Sequence, residues 1–169
     1  MTSQSASDQP SISRPHIPGY GIPETEEGTL PWSYVGERLK ESPAYWVCTV
    51  DAQNRPHAIP IWGAWVDGVL YLEVGSPDTA KVRNMKRNPN VSVHLDDSTR
   101  VVTIMGEVRE VIPDAELGQK LSDEMRRKYA PGYEPGPDSW NQGGMWALIP
   151  RIAFAWTTFP GDATRYRFE

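Results

Sequence analysis

The stretch from Ala44 to Val74 constrains the chain more than any other. It contains apolar-rich runs at Ala44 to Asp51, Pro56 to Val66 and Val69 to Val74, split by Ala52-Gln53-Asn54-Arg55 and by Asp67-Gly68. Asp-Gly between two such runs signals a tight hairpin, because the turn that suits twisted strands needs positive φ at both central residues. A short meander is not stable alone, so the rest of the chain has to extend it into a larger sheet.

The sequence offers the strands for that. Val91 to Leu95 alternates, Arg100 to Val111 is long, and Met145 to Phe159 and Thr164 to Phe168 follow. Gly106, inside the long run, predicts a bulge or bend. Three short helices are expected. The first spans Pro31 to Lys40, with Val35 and Leu39 on one face, Ser33 as N-cap and Pro43 as the stop. The second spans Thr79 to Asn88. The third runs from Pro113 to about Tyr129 with Asp114 and Glu116 in its first turn. Ala130 to Gly144 is rich in Pro and Gly and reads as a loop. Six or seven strands with three helices predict a mostly β fold, an antiparallel barrel with short helical insertions.

At 169 residues the chain suits one domain. Residues 1–30 are expected to be a flexible N-terminal arm rich in Ser, Pro and Gln, and residues 31–169 the barrel. The start has no charged segment followed by an apolar run, and no window reaches membrane-spanning length, so a cytoplasmic protein without membrane contact is expected. A net charge of −5 argues against nucleic-acid binding. Cys48 is the only cysteine, which excludes an intrachain disulfide, and it reads as a core thiol. His16, His57 and His94 are widely spaced, and no metal site is expected. Seven Trp and seven Tyr are available to fill a core, line a dimer interface or stack on a planar ligand.

The segment that carries chemistry is Gly75 to Pro89. A strand ends and a helix begins within four residues, and the free N–H groups of a helix start attract anions. Ser76 and Thr79 add hydroxyls. Lys81, Asn84 and Asn88 share one helix face, with Arg83 and Arg87 on the next. Lys81, Arg83, Lys86 and Arg87 against Asp78 make a local charge of +3 in an acidic protein. That focus suits a small anionic ligand, although a solvated basic helix face has the same composition.

The order of elements, the Arg55-Pro56 strand with Pro60 and Trp62, the Asp-Gly hairpin and the run Lys81-Val82-Arg83-Asn84 ending in Asn88-Pro89 together resemble the flavin/deazaflavin oxidoreductase superfamily, the pyridoxamine-phosphate-oxidase-like group. The closing Ala163-Thr164-Arg165-Tyr166-Arg167-Phe168 is similar to the terminal strand of its deazaflavin branch. The resemblance covers about Trp32 to Phe168. It implies a split β-barrel of Greek-key-like form and a homodimer with the cofactor groove at the interface. It also implies site roles. The strand carrying His57, Pro60, Ile61 and Trp62 would run along the cofactor ring, its backbone amides at the pyrimidine end. Gly75 and Ser76 would flank the ribityl chain. Thr79, Lys81, Arg83 and Asn84 would hold the phosphate. The Trp-rich segment from Trp140 to Trp156 would cover the ring from the partner.

The implied cofactor is coenzyme F420, with FMN as the alternative. Ala80 stands where FMN oxidases of the group often carry the Arg of an Arg-Lys pair. The implied reaction is hydride transfer between F420 and a small conjugated or electron-poor substrate. A non-catalytic carrier of a flavin or deazaflavin, and a cofactor-free interaction domain, are the other readings. No catalytic side chain is assigned, and His57, Tyr129 and Tyr133 are the candidates for a general acid.

Overall fold

The computed structural model describes residues 9–169. They form β1 (Ser11–Ser13), α1 (Trp32–Glu41), β2 (Tyr45–Val50), β3 (Pro56–Val66), β4 (Val69–Glu73) and α2 (Ala80–Arg87). Then come β5 (Asn90–His94), β6 (Val101–Val111), α3 (Ala115–Tyr129), β7 (Met145–Trp156) and β8 (Thr164–Arg167). Strands β7, β4, β3, β2, β5 and β6 pair in that order, all antiparallel, and β6 pairs back onto β7. The result is the expected mostly β fold, a closed six-stranded barrel with three helices.

The split lies along β7. One edge of β7 pairs with β6 over its whole length, while the other is shared, Met145–Leu148 with β4 and Ile152–Ala155 with β8. The register of β6 on β7 shifts between Met105 and Gly106, which is the expected bulge. A Cβ on Gly106 would stand 2.1 Å from the Ile149 carbonyl oxygen, so the two strands approach there only because the residue is glycine. At the β3–β4 hairpin Asp67 and Gly68 take φ of 50° and 80°, the primed turn their sequence predicts.

Strand alternation sorts the side chains. Tyr45, Val47, Ile61, Leu70, Leu72, Val93 and Ile104 point into the barrel, where Val35 and Leu39 of α1 and Val82 and Met85 of α2 join them. Helix α3 packs outside. Its Leu121 and Met125, with Trp140 of the Pro/Gly-rich loop, cover Ala64 and Val66 of β3 and Met145 of β7. Asp114 caps α3, accepting from the Leu117 N–H at 2.9 Å.

Several expectations need correction. Pro31, not Ser33, occupies the N-cap of α1, and it offers no side-chain cap. Cys48 is not a core thiol. Its neighbours Val47 and Thr49 take the inward positions, so it lies half-buried on the outer face of β2. Trp140 and Trp146 are buried within their own chain, so they are not free to cover a ligand on a partner. Of the expected arm, residues 1–8 lie outside the described residues. The rest is tied down: Ser11–Ser13 pairs with β8. Arg14 donates to the carbonyls of Thr25, Ala163 and Glu27. This edge strand was not legible, because Ser-Ile-Ser is too short to show alternation. Among the described residues no helix is long and apolar enough to cross a membrane, and no cluster of His, Cys, Asp or Glu suits a metal ion.

Candidate functional site

Two open features meet where β4 leaves the barrel. The first is the turn into α2. Gly75 is exposed, takes φ +66°, and a Cβ there would meet nothing within 4 Å. Ser76 and Thr79 organise the turn: the Asp78 N–H donates to Ser76 Oγ at 3.3 Å and Thr79 Oγ1 donates to the Ser76 carbonyl at 3.1 Å. Thr79 is the N-cap residue of α2 but its side chain caps nothing, so the first N–H groups of the helix have no side-chain acceptor. Val74 N–H donates to Gly144 O at 3.0 Å, which brings the Gly143-Gly144 end of the loop alongside.

The four residues expected to hold phosphate divide here. Lys81 is half-buried at the helix start and makes no hydrogen bond or ion pair among the described residues. Arg83 folds back onto the Asp78 carbonyl, which keeps its guanidinium at the turn. Thr79 keeps its hydroxyl in the turn. Asn84 is turned away: it is 7% exposed and its amide donates to Thr49 Oγ1 at 3.0 Å, binding α2 to β2. The helical period that puts Lys81 and Asn84 on one face also points that face partly at the barrel.

The second feature is a free strand edge. β3 pairs with β2 through Pro56–Ile61, but with β4 only through Trp62–Val66. The Gly63 N–H and C=O point away from β4 and are met by Tyr129 and Lys128. By alternation the backbones of Ile61, Ile59 and His57 point to the same side, into the β2 ladder. The open edge therefore carries the Ala58 N–H and C=O and the Pro60 C=O. Pro60 has no N–H to leave unpaired there, which is why proline is tolerated mid-strand. The strand was expected to present its backbone amides to a ring; the free edge carries Ala58, which was not among the named site residues, while the His57 and Ile61 amides face the β2 ladder. The His57 ring lies inward, its Nδ1 buried and without a hydrogen-bond partner.

Beside this edge stands an aromatic shelf. Trp62 is 47% exposed and stacks on Tyr129, centroids 4.7 Å apart at 16°. Tyr133 tilts against the same indole at 5.6 Å. Behind it, Tyr133 Oη donates to Glu73 Oε1. Lys128 Nζ donates to Tyr45 Oη at 2.8 Å and to the Gly63 carbonyl at 2.9 Å. Burial pulls its pKa down to about 8. Glu73 and Lys128 were not singled out from sequence, since neither belongs to a motif and only the packing of α3 and the loop brings them to the site.

The family described as pyridoxamine 5'-phosphate oxidase matches residues 35–145, from α1 to the start of β7. The chain belongs to this family. Solved structures agree on the fold. A conserved hypothetical protein from Mycobacterium tuberculosis aligns at 21% identity with a TM-score of 0.62, covering 76% of this chain and 85% of the other. An F420 reductase aligns at 25% identity with a TM-score of 0.53, covering 69% and 94%. A protein assigned to 5-nitroimidazole antibiotic resistance in Bacteroides thetaiotaomicron aligns at 13% identity with a TM-score of 0.57, covering 94% and 93%. No curated protein matches the chain.

A cofactor of the kind used by the pyridoxamine-phosphate-oxidase family fits the residues present. Lys81 with the uncapped start of α2 suits a phosphate, Gly75 leaves room for a linking chain, and the Ala58–Pro60 edge offers one donor and two acceptors to the polar end of a ring. Asp78 is exposed at the same turn and adds one opposing charge.

Proposed function

We propose that the protein is an oxidoreductase that binds coenzyme F420 and transfers a hydride between it and a small conjugated or electron-poor substrate. The observation that carries this is that β4, where it leaves β3, both frees a half-strand edge with no partner, Ala58–Pro60, and leads into an open helix start with an uncommitted lysine, Lys81. Support for the deazaflavin over FMN comes from Ala80 preceding Lys81, and from the likeness to the F420 reductase.

When bound, the cofactor supplies the hydride chemistry. The chain's own residues bind and orient. Lys81 and the α2 N–H groups hold the phosphate by charge-assisted hydrogen bonds. The β3 edge fixes the direction of the ring. Trp62 and Tyr129 give the substrate side an apolar floor that keeps water away.

The functional form is a homodimer. Strands β2, β5, β6 and β7 with the start of β3 border an open depression of about 460 Å³ lined mainly by apolar groups, among them Cys48, Val50, Pro56, Met105 and Ile152. Met105 is 36% exposed there. A second copy covering this face would close a groove along the free edge of β3.

The test is a fluorescence titration of the purified protein with oxidised F420 and with FMN. The proposal expects tight binding of F420, and tight binding of FMN alone would reverse the cofactor assignment. Sedimentation of Met105→Lys expects a monomer with weakened cofactor binding.

A further inference from the structure

Glu73 ends β4 directly across from Trp62 of β3, so the two side chains share a face. Tyr133 donates to the carboxyl and tilts against the indole, and Tyr129 stacks on that same indole. The shelf is thus three electron-rich rings with an acid at its back. Nothing positive compensates that acid. Oε1 accepts from Tyr133, whereas Oε2 is buried with no hydrogen-bond partner. The groups that favour its ionisation, the Tyr133 hydroxyl and the Trp140 indole, are both neutral. Met145, its register partner on β7, is apolar. Lys128 is the cation of this region, 5.2 Å from the Tyr129 ring centroid. Its Nζ is spent on Tyr45 and Gly63, and the charges it answers to are Glu124 and Arg127. Burial without a counter-ion pushes the Glu73 pKa up. Buried carboxylates are as a rule paired, and an unpaired one weakens the fold that holds it.

We infer, resting on the oxidoreductase reading above, that the shelf selects a planar organic cation as substrate, an iminium conjugated with an aromatic ring, with Glu73 as its counter-ion and Trp62 and Tyr133 as its π partners. Two attractions converge on such a molecule. The carboxylate acts on its charge, and the ring quadrupoles add to this in a partly desolvated setting. A neutral molecule of the same shape gains only the stacking. The reaction balances without a protein acid. A hydride from the reduced deazaflavin forms a C–H bond at the iminium carbon, and the C=N π pair moves onto nitrogen. The cation becomes a neutral tertiary amine as the deazaflavin is oxidised. Substrate charge is lost on the way to the transition state. Glu73 therefore holds the ground state more strongly than the transition state, and its contribution falls on KM rather than kcat.

The experiment uses the full chain, Glu73→Gln and Trp62→Ala. The probes are N-methyl-3,4-dihydroisoquinolinium and the neutral lactam of the same ring system, titrated by calorimetry without cofactor. Wild type binds the cation about tenfold or more tighter than the lactam, a difference of ~1.4 kcal/mol. Glu73→Gln loses this preference and keeps its lactam affinity, and Trp62→Ala weakens both. With reduced F420 the wild type reduces the iminium, and Glu73→Gln raises KM about tenfold without lowering kcat. Equal affinity of wild type for the two probes overturns the assignment whatever the variants do. So does a Glu73→Gln chain that keeps the preference, or one whose kcat falls at unchanged KM. A wild type that binds both F420 and the iminium yet leaves the iminium unreduced overturns it as well, while the cofactor reading stands. A wild type that binds neither F420 nor FMN overturns the cofactor reading, and the substrate assignment that rests on it, and is seen in the cofactor titration alone.

Discussion

The Trp62 indole and the Tyr129 phenol lie almost parallel, 4.7 Å apart, and the indole is still 47% exposed. Tyr129 is held in place from below, its hydroxyl bonded to Gly63 N and O at 3.2 Å. An exposed tryptophan backed in this way is a preformed platform for a planar ligand. Trp62→Ala is expected to lower stability by about 1 kcal/mol, since the stack lies at the surface. It is expected to weaken binding of a planar substrate far more than binding of the cofactor phosphate. Urea denaturation and ligand titration check the two effects separately.

Asn84 predicts the opposite balance. Its buried amide ties α2 to Thr49, and Thr49 in turn donates to the His57 carbonyl at 3.4 Å. Asn84→Ala should cost about 1–3 kcal/mol in urea denaturation by losing a buried hydrogen bond. Its effect on cofactor affinity should be the indirect one of a loosened helix, smaller than that of Lys81→Ala.

The β6–β7 bulge gives a purely structural test. Gly106→Ala would put a Cβ 2.1 Å from a backbone oxygen that has no freedom to retreat. The expected loss is about 3 kcal/mol or more, at the severe end for a single methyl group. Expression and a denaturant midpoint report it directly.

Lys128 makes stability depend on alkaline pH. Its pKa is about 8 in the folded chain against 10.5 for the free group, because burial disfavours the ammonium. Between these values the unfolded chain binds the extra proton, so the contribution of Lys128 to stability rises as pH goes from about 8 to 10.5. The difference in unfolding free energy between wild type and Lys128→Met should grow across this window and stay flat below it.

The barrel was legible because its signals are local. Asp67-Gly68 requires its turn and Gly106 its bulge, and the Pro56–Val66 strand falls where alternation puts it. The turn at Gly75–Thr79 was legible for the same reason. What escaped depends on contacts between distant segments. Cys48 and Asn84 have periodicities that fit either of two faces, and only the neighbouring strand or helix decides which is buried. The open edge at Ala58 exists because β4 stops at Glu73, a fact of pairing rather than of composition. Glu73 and Lys128 become unusual only once α3 and the loop bury them.

The central claim is that Lys81 at the start of α2 holds the phosphate of a deazaflavin or flavin. The most direct measurement is the dissociation constant of F420 and of FMN for wild type, Lys81→Ala and Lys40→Ala, the last removing an exposed cation in the cleft between α1 and α3. The account predicts a loss of about tenfold or more in Lys81→Ala, or ~1.4 kcal/mol, and a change of less than about twofold in Lys40→Ala. Equal affinities in all three proteins, or no binding of either cofactor by the wild type, would contradict it.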